Sequence, residues 1–158
     1  MRRVAVFLFL LLGCTRSSTP AAASIDPTAT VRFITPPMDG DVAAIMSAQR
    51  AKSKGEGRQV LLYCGASWCE PCRFFHEAVD RGELIGKVGA LDLVAFDAQV
   101  DAERMLMSGY ESQFIPLFAA VGPDGKATGK KLEGSVKGSG AVDDLVPRLK
   151  ALLAEAPR

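Results

Sequence analysis

Val60-Leu61-Leu62-Tyr63-Cys64-Gly65-Ala66-Ser67-Trp68-Cys69-Glu70-Pro71-Cys72 decides how this chain is read. Its first half is an apolar run of strand length, Gly65-Ala66-Ser67 breaks it, and Arg73-Phe74-Phe75-His76-Glu77-Ala78-Val79 follows with helical character. The order is strand, short loop, helix, with two cysteines at the start of the helix. Unpaired backbone N–H groups and the helix dipole stabilise an anion there, so a thiolate forms at lower pH than in a free cysteine. Cys69, at the mouth of the helix, is read as the exposed nucleophile and Cys72, one turn in, as the buried resolving thiol. Pro71 fits an early helix position because no donor is needed from it there. Glu70 lies between the thiols, where its charge disfavours a thiolate and so favours a more reducing pair. As a helix-start acid it also suits the dipole. His76 falls on the helix face of both cysteines and is a candidate for tuning their acidity; Tyr63, at the end of the strand, is another.

Outward from that stretch, Asp39 or Asp41 caps a helix through Val42, Ile45 and Met46 that ends at Gly55. Leu91 to Asp97 reads as a strand, and Asp101 caps a helix ending at Gly109. Leu117 to Val121 is a strand, Gly122-Pro123-Asp124-Gly125 a turn, and Lys130 to Val136 its hairpin partner. A last helix begins at Gly140, with Val142, Leu145, Leu149, Leu152 and Leu153 on one stripe; Pro147 falls inside it and signals a kink or a late start. Helical crossovers demand parallel strands, and the terminal hairpin is antiparallel. The expected class is therefore α/β, a mixed central sheet with helices on both faces.

The Trp-Cys-x-x-Cys after a buried strand, with Phe114-Ile115-Pro116-Leu117 downstream, resembles the thioredoxin family over about residues 41–155. The resemblance is greatest to thioredoxin-like domains of the bacterial envelope, such as the C-terminal domain of transmembrane thiol:disulfide interchange proteins, and the Cys69-Glu70-Pro71-Cys72 tetrad also resembles that of membrane-anchored reductases of cytochrome c maturation. It implies a thioredoxin fold, a redox dithiol at Cys69 and Cys72, a cis bond before Pro116, and a substrate groove shaped by Trp68, Ile115 and Pro116. There are departures. Glu70 stands where thioredoxin has Gly, Tyr63 replaces its buried proton-relaying Asp, and Phe75 replaces the Glu of the cytochrome-maturation reductases. Fold and chemistry carry over; the substrate does not. No organic cofactor or metal is required.

The N-terminus reads as a processing signal. Arg2 and Arg3 precede an apolar segment from Val4 to Leu12, too short to span a bilayer, and Leu11-Leu12-Gly13-Cys14 resembles a lipoprotein cleavage site with Cys14 acylated. The expected organisation is signal peptide 1–13, lipid-anchored flexible tether 14–37, and folded domain 38–158. Val31-Arg32-Phe33-Ile34, inside the tether, has the composition of an edge strand. Removing residues 1–13 takes away two of 19 basic residues and none of 18 acidic ones. The mature chain is close to neutral, which gives nucleic-acid binding no electrostatic support. The chain is expected to be a monomer facing the periplasm or extracytoplasmic space, with protein thiols and disulfides as substrates and a membrane redox partner. Reductase is the favoured direction.

Two other classes compete. One is a non-catalytic module that clamps an extended peptide beside Pro116. The other is a metal carrier built from Cys64, Cys69, Cys72 and His76. The spacing Cys64-x4-Cys69-x2-Cys72 matches an iron–sulfur pattern but lacks its later fourth cysteine, and the four residues together would make a Cys3His set. Cys64, expected to point from a strand into the core, reads instead as a small buried hydrophobe.

Overall fold

A computed structural model describes residues 26–157 of the chain. Cys14 and the expected signal peptide lie outside the described residues. The elements are β1 (Val31–Ile34), α1 (Val42–Gly55), β2 (Gln59–Gly65), α2 (Glu70–Asp80), β3 (Leu91–Asp97), α3 (Ala102–Met107), β4 (Leu117–Val121), β5 (Ala127–Glu133) and α4 (Ala141–Glu155). The strands form one sheet in the order β1-β3-β2-β4-β5. β1 and β2 run parallel to β3, while β4 is antiparallel to both β2 and β5.

Alternation along β2 and β3 sends side chains to opposite faces. Leu61, Tyr63, Leu91 and Leu93 pack under α2 and α4 with Phe75, Ala78, Leu145 and Leu149. Val60, Leu62, Cys64, Val94 and Phe96 pack under α1 and α3 with Val42, Met46 and Met105. This is the thioredoxin fold, a mixed sheet with helices on both faces.

Local signals placed most elements. The carboxylate of Asp41 accepts from the backbone N–H of Ala44 at 2.9 Å and caps α1. Asp101 precedes α3, but its carboxylate accepts instead from Asp97 N–H and from Arg104. α4 runs through Pro147: burial of Leu145, Leu149, Leu152 and Leu153 on one stripe outweighs the single missing donor. β5 starts at Ala127, three residues before the expected Lys130, and ends at Glu133 rather than Val136, because the turn closes early with Gly122 N–H donating to Lys126 O at 2.8 Å.

The tether is the main correction. Residues 31–34 form β1, in register with Leu91 to Val94, and Leu91 N–H donates to Thr30 O at 3.1 Å. Just before it, Gly86 N–H donates to Ala29 O at 2.9 Å. Gly86 has φ +68°, and a β-carbon there would sit 2.8 Å from Pro27 O, so only glycine admits this approach. Residues 26–37, read as tether, are part of the folded unit.

Candidate active site

The dithiol is built by the junction of β2 and α2. β2 ends at Gly65, Ala66 to Trp68 turn the chain, and Cys69 N–H donates to Ala66 O at 3.0 Å. Cys69 is the N-cap of α2. Its Sγ accepts from the backbone N–H of Cys72 at 3.3 Å, while Glu70 and Pro71 occupy the first helical positions. Cys69 and Cys72 are joined in a disulfide. The same N–H that meets Cys69 Sγ would stabilise a thiolate there after reduction.

The expected contrast in exposure is absent. Cys69 is 4% exposed and Cys72 2%. What distinguishes them is their surroundings: Cys69 caps the helix, whereas Cys72 lines a cleft of about 410 Å³ with Tyr63, Gly65, Ser67, His76 and Asp97.

The cis-Pro loop reaches the same end of the sheet. Cys64 pairs with Leu117, which puts Pro116 level with Gly65, at the start of the loop to Cys69. The Ile115–Pro116 bond is cis. Gly134 N–H donates to Pro116 O at 2.9 Å and ties the loop to the end of β5. Of the residues expected in a groove, Trp68 is 65% exposed, Pro116 is buried in the loop, and Ile115 is half-buried against the α1/α3 core. Phe114, not singled out beforehand, is 63% exposed. An aromatic directly before Ile-Pro in a loop was the available signal.

The tuning candidates separate. Glu70 is half-buried in the first turn of α2. His76 is turned toward β1, where its ring stacks on Phe33 with centroids 3.9 Å apart. Burial lowers its pKa, against the opposing charge of Asp80, so at neutral pH it brings no positive charge to the thiols. Tyr63 is 2% exposed and packs edge-on against Phe118 and Phe33. Its hydroxyl is buried and has no hydrogen-bond partner among the described residues.

Cys64 is excluded from this chemistry by the pleat. It projects into the α1/α3 core, on the far face of the sheet from α2, as a buried free thiol. Burial first, then the charges of Asp97 and Asp101, push its pKa up to about 12. A shared metal set with Cys69, Cys72 and His76 would require it to cross the sheet. Among the described residues no group of three or more His, Cys, Asp or Glu side chains is placed to hold a metal ion. Among them, too, no helix is long and apolar enough to cross a membrane.

No protein-family model matches the chain. The chain is 28% identical over 129 residues to the thiol:disulfide interchange protein DsbD 2 of Pseudomonas aeruginosa. The match covers 79% of this chain but only 20% of that protein. That similarity and the Cys69–Cys72 pair together support a thiol–disulfide redox role.

Proposed function

We propose that this chain is a thiol:disulfide oxidoreductase of the bacterial cell envelope, anchored through an acylated Cys14, that reduces protein disulfides. The observation that carries the redox reading is the helix-capping Cys69, hydrogen-bonded to Cys72 N–H and disulfide-bonded to Cys72. In the reducing direction, the Cys69 thiolate attacks a substrate disulfide and forms a mixed disulfide. Cys72 then attacks Cys69 Sγ, the enzyme disulfide closes, and the reduced substrate leaves. Trp68, Phe114 and the Pro116 loop shape the surface a substrate meets. Glu70 between the thiols supports the reducing direction, since its charge disfavours a standing thiolate. The enzyme disulfide must be reduced again after each cycle. In an oxidising compartment that demands electrons from a membrane partner. The interchange activity in the relative's name fits this role.

The test is the reduction potential of the full-length protein, equilibrated in dithiothreitol or glutathione buffers and read by thiol trapping. A two-electron couple near about −270 mV supports the reductase, and one near about −120 mV makes the protein a disulfide-forming oxidant. No reversible couple refutes the redox reading.

A further inference from the structure

A second cleft, of about 670 Å³, lies at the opposite end of the sheet from the dithiol. Gln59 and Val60, at the start of β2, and Ala90, just before β3, form part of its wall. From there β2 runs seven residues, about 20 Å, to Gly65 and the turn that carries Cys69. The C-terminal parts of α1 and α4 supply further walls. A β-carbon on Gly57 or Gly89, both in the lining, would meet nothing within 4 Å, so the mouth is open.

The charge of this cleft is uneven. Arg50, Lys54, Arg58 and Lys150 line it against Asp26 and Glu56. Asp92, paired with Arg58, and Arg32, paired with Glu56, cancel each other in this balance. The acids are occupied: Asp26 accepts from the N–H and the hydroxyl of Thr28 at 2.8 and 2.7 Å, and Glu56 pairs with Arg32 at 2.6 Å. Arg58 is fixed in the wall by Asp92, Thr30 O and Leu91 O. Lys54 and Lys150 differ. Both are exposed, and neither ammonium has a hydrogen-bond or ion-pair partner among the described residues. Lys54 lies in the last turn of α1 and complements that helix's dipole, whereas Lys150 stands ahead of the last turn of α4. Partial negative charge at the two helix ends reduces the excess of cations without reversing it. The cleft is complementary to an anion.

The course of the chain selects the anion. Asp26 lines this cleft and follows Cys14 by 12 positions. Fully extended, that length spans about 40 Å at most. An acyl group on Cys14 therefore keeps this end of the domain within reach of a bilayer surface. We infer that the dithiol-distal end docks on the headgroups of acidic phospholipids, with Lys54, Lys150 and Arg58 meeting the phosphate. This rests on the lipid anchor proposed above. The anchor supplies the local concentration, so a second contact of modest strength suffices. A domain docked this way turns Cys69 and Cys72 away from the bilayer and presents them to substrates arriving from the aqueous side.

Lysine footprinting tests this on the full-length protein bound to vesicles of phosphatidylcholine alone or of phosphatidylcholine mixed with phosphatidylglycerol. A membrane-impermeant amine reagent is added, and mass spectrometry reads the labelling of each lysine. Lys54 and Lys150 should be labelled about fivefold less on the mixed vesicles, and high salt should remove the difference. Lys137, exposed beyond β5 at the dithiol end, should be labelled equally on both. Lys54→Gln should bring Lys150 back to within about twofold of its labelling on phosphatidylcholine, and Lys150→Gln should do the same for Lys54. Neither substitution should move the reduction potential. Equal labelling of Lys54 and Lys150 on the two kinds of vesicle overturns the inference, as does equal protection of Lys137. Protection by inorganic phosphate on phosphatidylcholine vesicles would assign the cleft to a free anion and overturn it as well. A chain that stays in solution with both vesicles refutes the anchor and the docking together. One recovered only with phosphatidylglycerol, with Lys54 and Lys150 protected, refutes the anchor and supports the docking.

Discussion

The two ends of the central sheet treat buried polar groups in opposite ways. At the end where β3 begins, the fully buried Asp92 is saturated. Its carboxylate accepts from Arg32 at 2.9 Å, Arg58 at 2.6 Å and Ser53 at 2.7 Å. Burial alone would raise its pKa, but the bonds from Arg32, Ser53 and Arg58 and the charge of Arg58 together hold it below the usual carboxylate value. These contacts tie β1, α1 and the start of β2 to β3. At the other end, Tyr63 keeps an unpaired hydroxyl beside an open cleft and a disulfide. A closed network rigidifies, whereas an unclosed one leaves a group free for a partner that comes and goes. The lesson is that burial does not separate structural from chemical residues; satisfaction does.

The comparison breaks most sharply through the cysteines. Cys69→Ser or Cys72→Ser should cut the reduction of insulin disulfides by at least about a thousandfold, because the covalent route is lost. Urea midpoints of the reduced proteins should stay close to the parent value. Activity surviving at parent levels would mean that the dithiol end is not the chemical end.

Asp92→Asn is expected to do the reverse. Removing one member of a buried charge cluster leaves the guanidinium of Arg58 uncompensated and costs about 3 kcal/mol. Urea unfolding measures that loss, while the reduction potential should not move. A changed potential would show that the two ends communicate.

Titration sharpens the contrast. Asp92 has a folded pKa below its unfolded value of 3.8, so its contribution is complete above that pH and is lost as pH falls through the lower folded value. The gap between parent and Asp92→Asn should therefore hold from pH 7 to about 5 and narrow only in stronger acid. His76 is also depressed, here by burial, from 6.5. Its neutral form is the one the fold prefers, so stability should fall as pH drops from 6.5 toward the folded value. His76→Phe, which keeps a ring against Phe33, should flatten that slope in urea midpoints at pH 7.5 and pH 5.5.

The smallest effect is expected at Cys64, as buried as Cys72 but on the other face. Cys64→Ala should leave turnover unchanged and cost about 1 kcal/mol for the space it vacates. In the folded parent this thiol should resist alkylation at neutral pH, and mass spectrometry after iodoacetamide treatment reads that directly.

Much of this was legible in the residues. β2, the turn and α2 follow from one apolar run, one Gly-Ala-Ser break and one helix start, all local. Asp41, Gly55 and the leucine stripe of α4 are equally local. Other features depend on partners far along the chain. β1 is four residues between Thr- and Pro-containing stretches, and it becomes a strand only by parallel pairing with residues 60 positions later. Asp92 sits in an apolar strand, and nothing nearby in the sequence announces Arg32 or Ser53 as its partners. His76 was placed on the cysteine face by helical spacing, but the spacing does not reveal that Phe33 from the next strand over claims its ring. The expected exposure of Cys69 failed for a related reason: the turn folds Trp68 outward and the capping sulfur inward.

β1 also decides where the chain can be cut. A fragment beginning at residue 38 would keep every residue of the dithiol and still be a different object. The hydrogen-bonding edge of β3, now covered by Val31 to Ile34, would be bare, and a bare edge recruits strands from neighbouring molecules. Arg32 would no longer face Asp92, and the ring of His76 would lose its stacking surface. Such a fragment should self-associate in proportion to its concentration, and thiol kinetics measured on it would describe the aggregate rather than the folded protein.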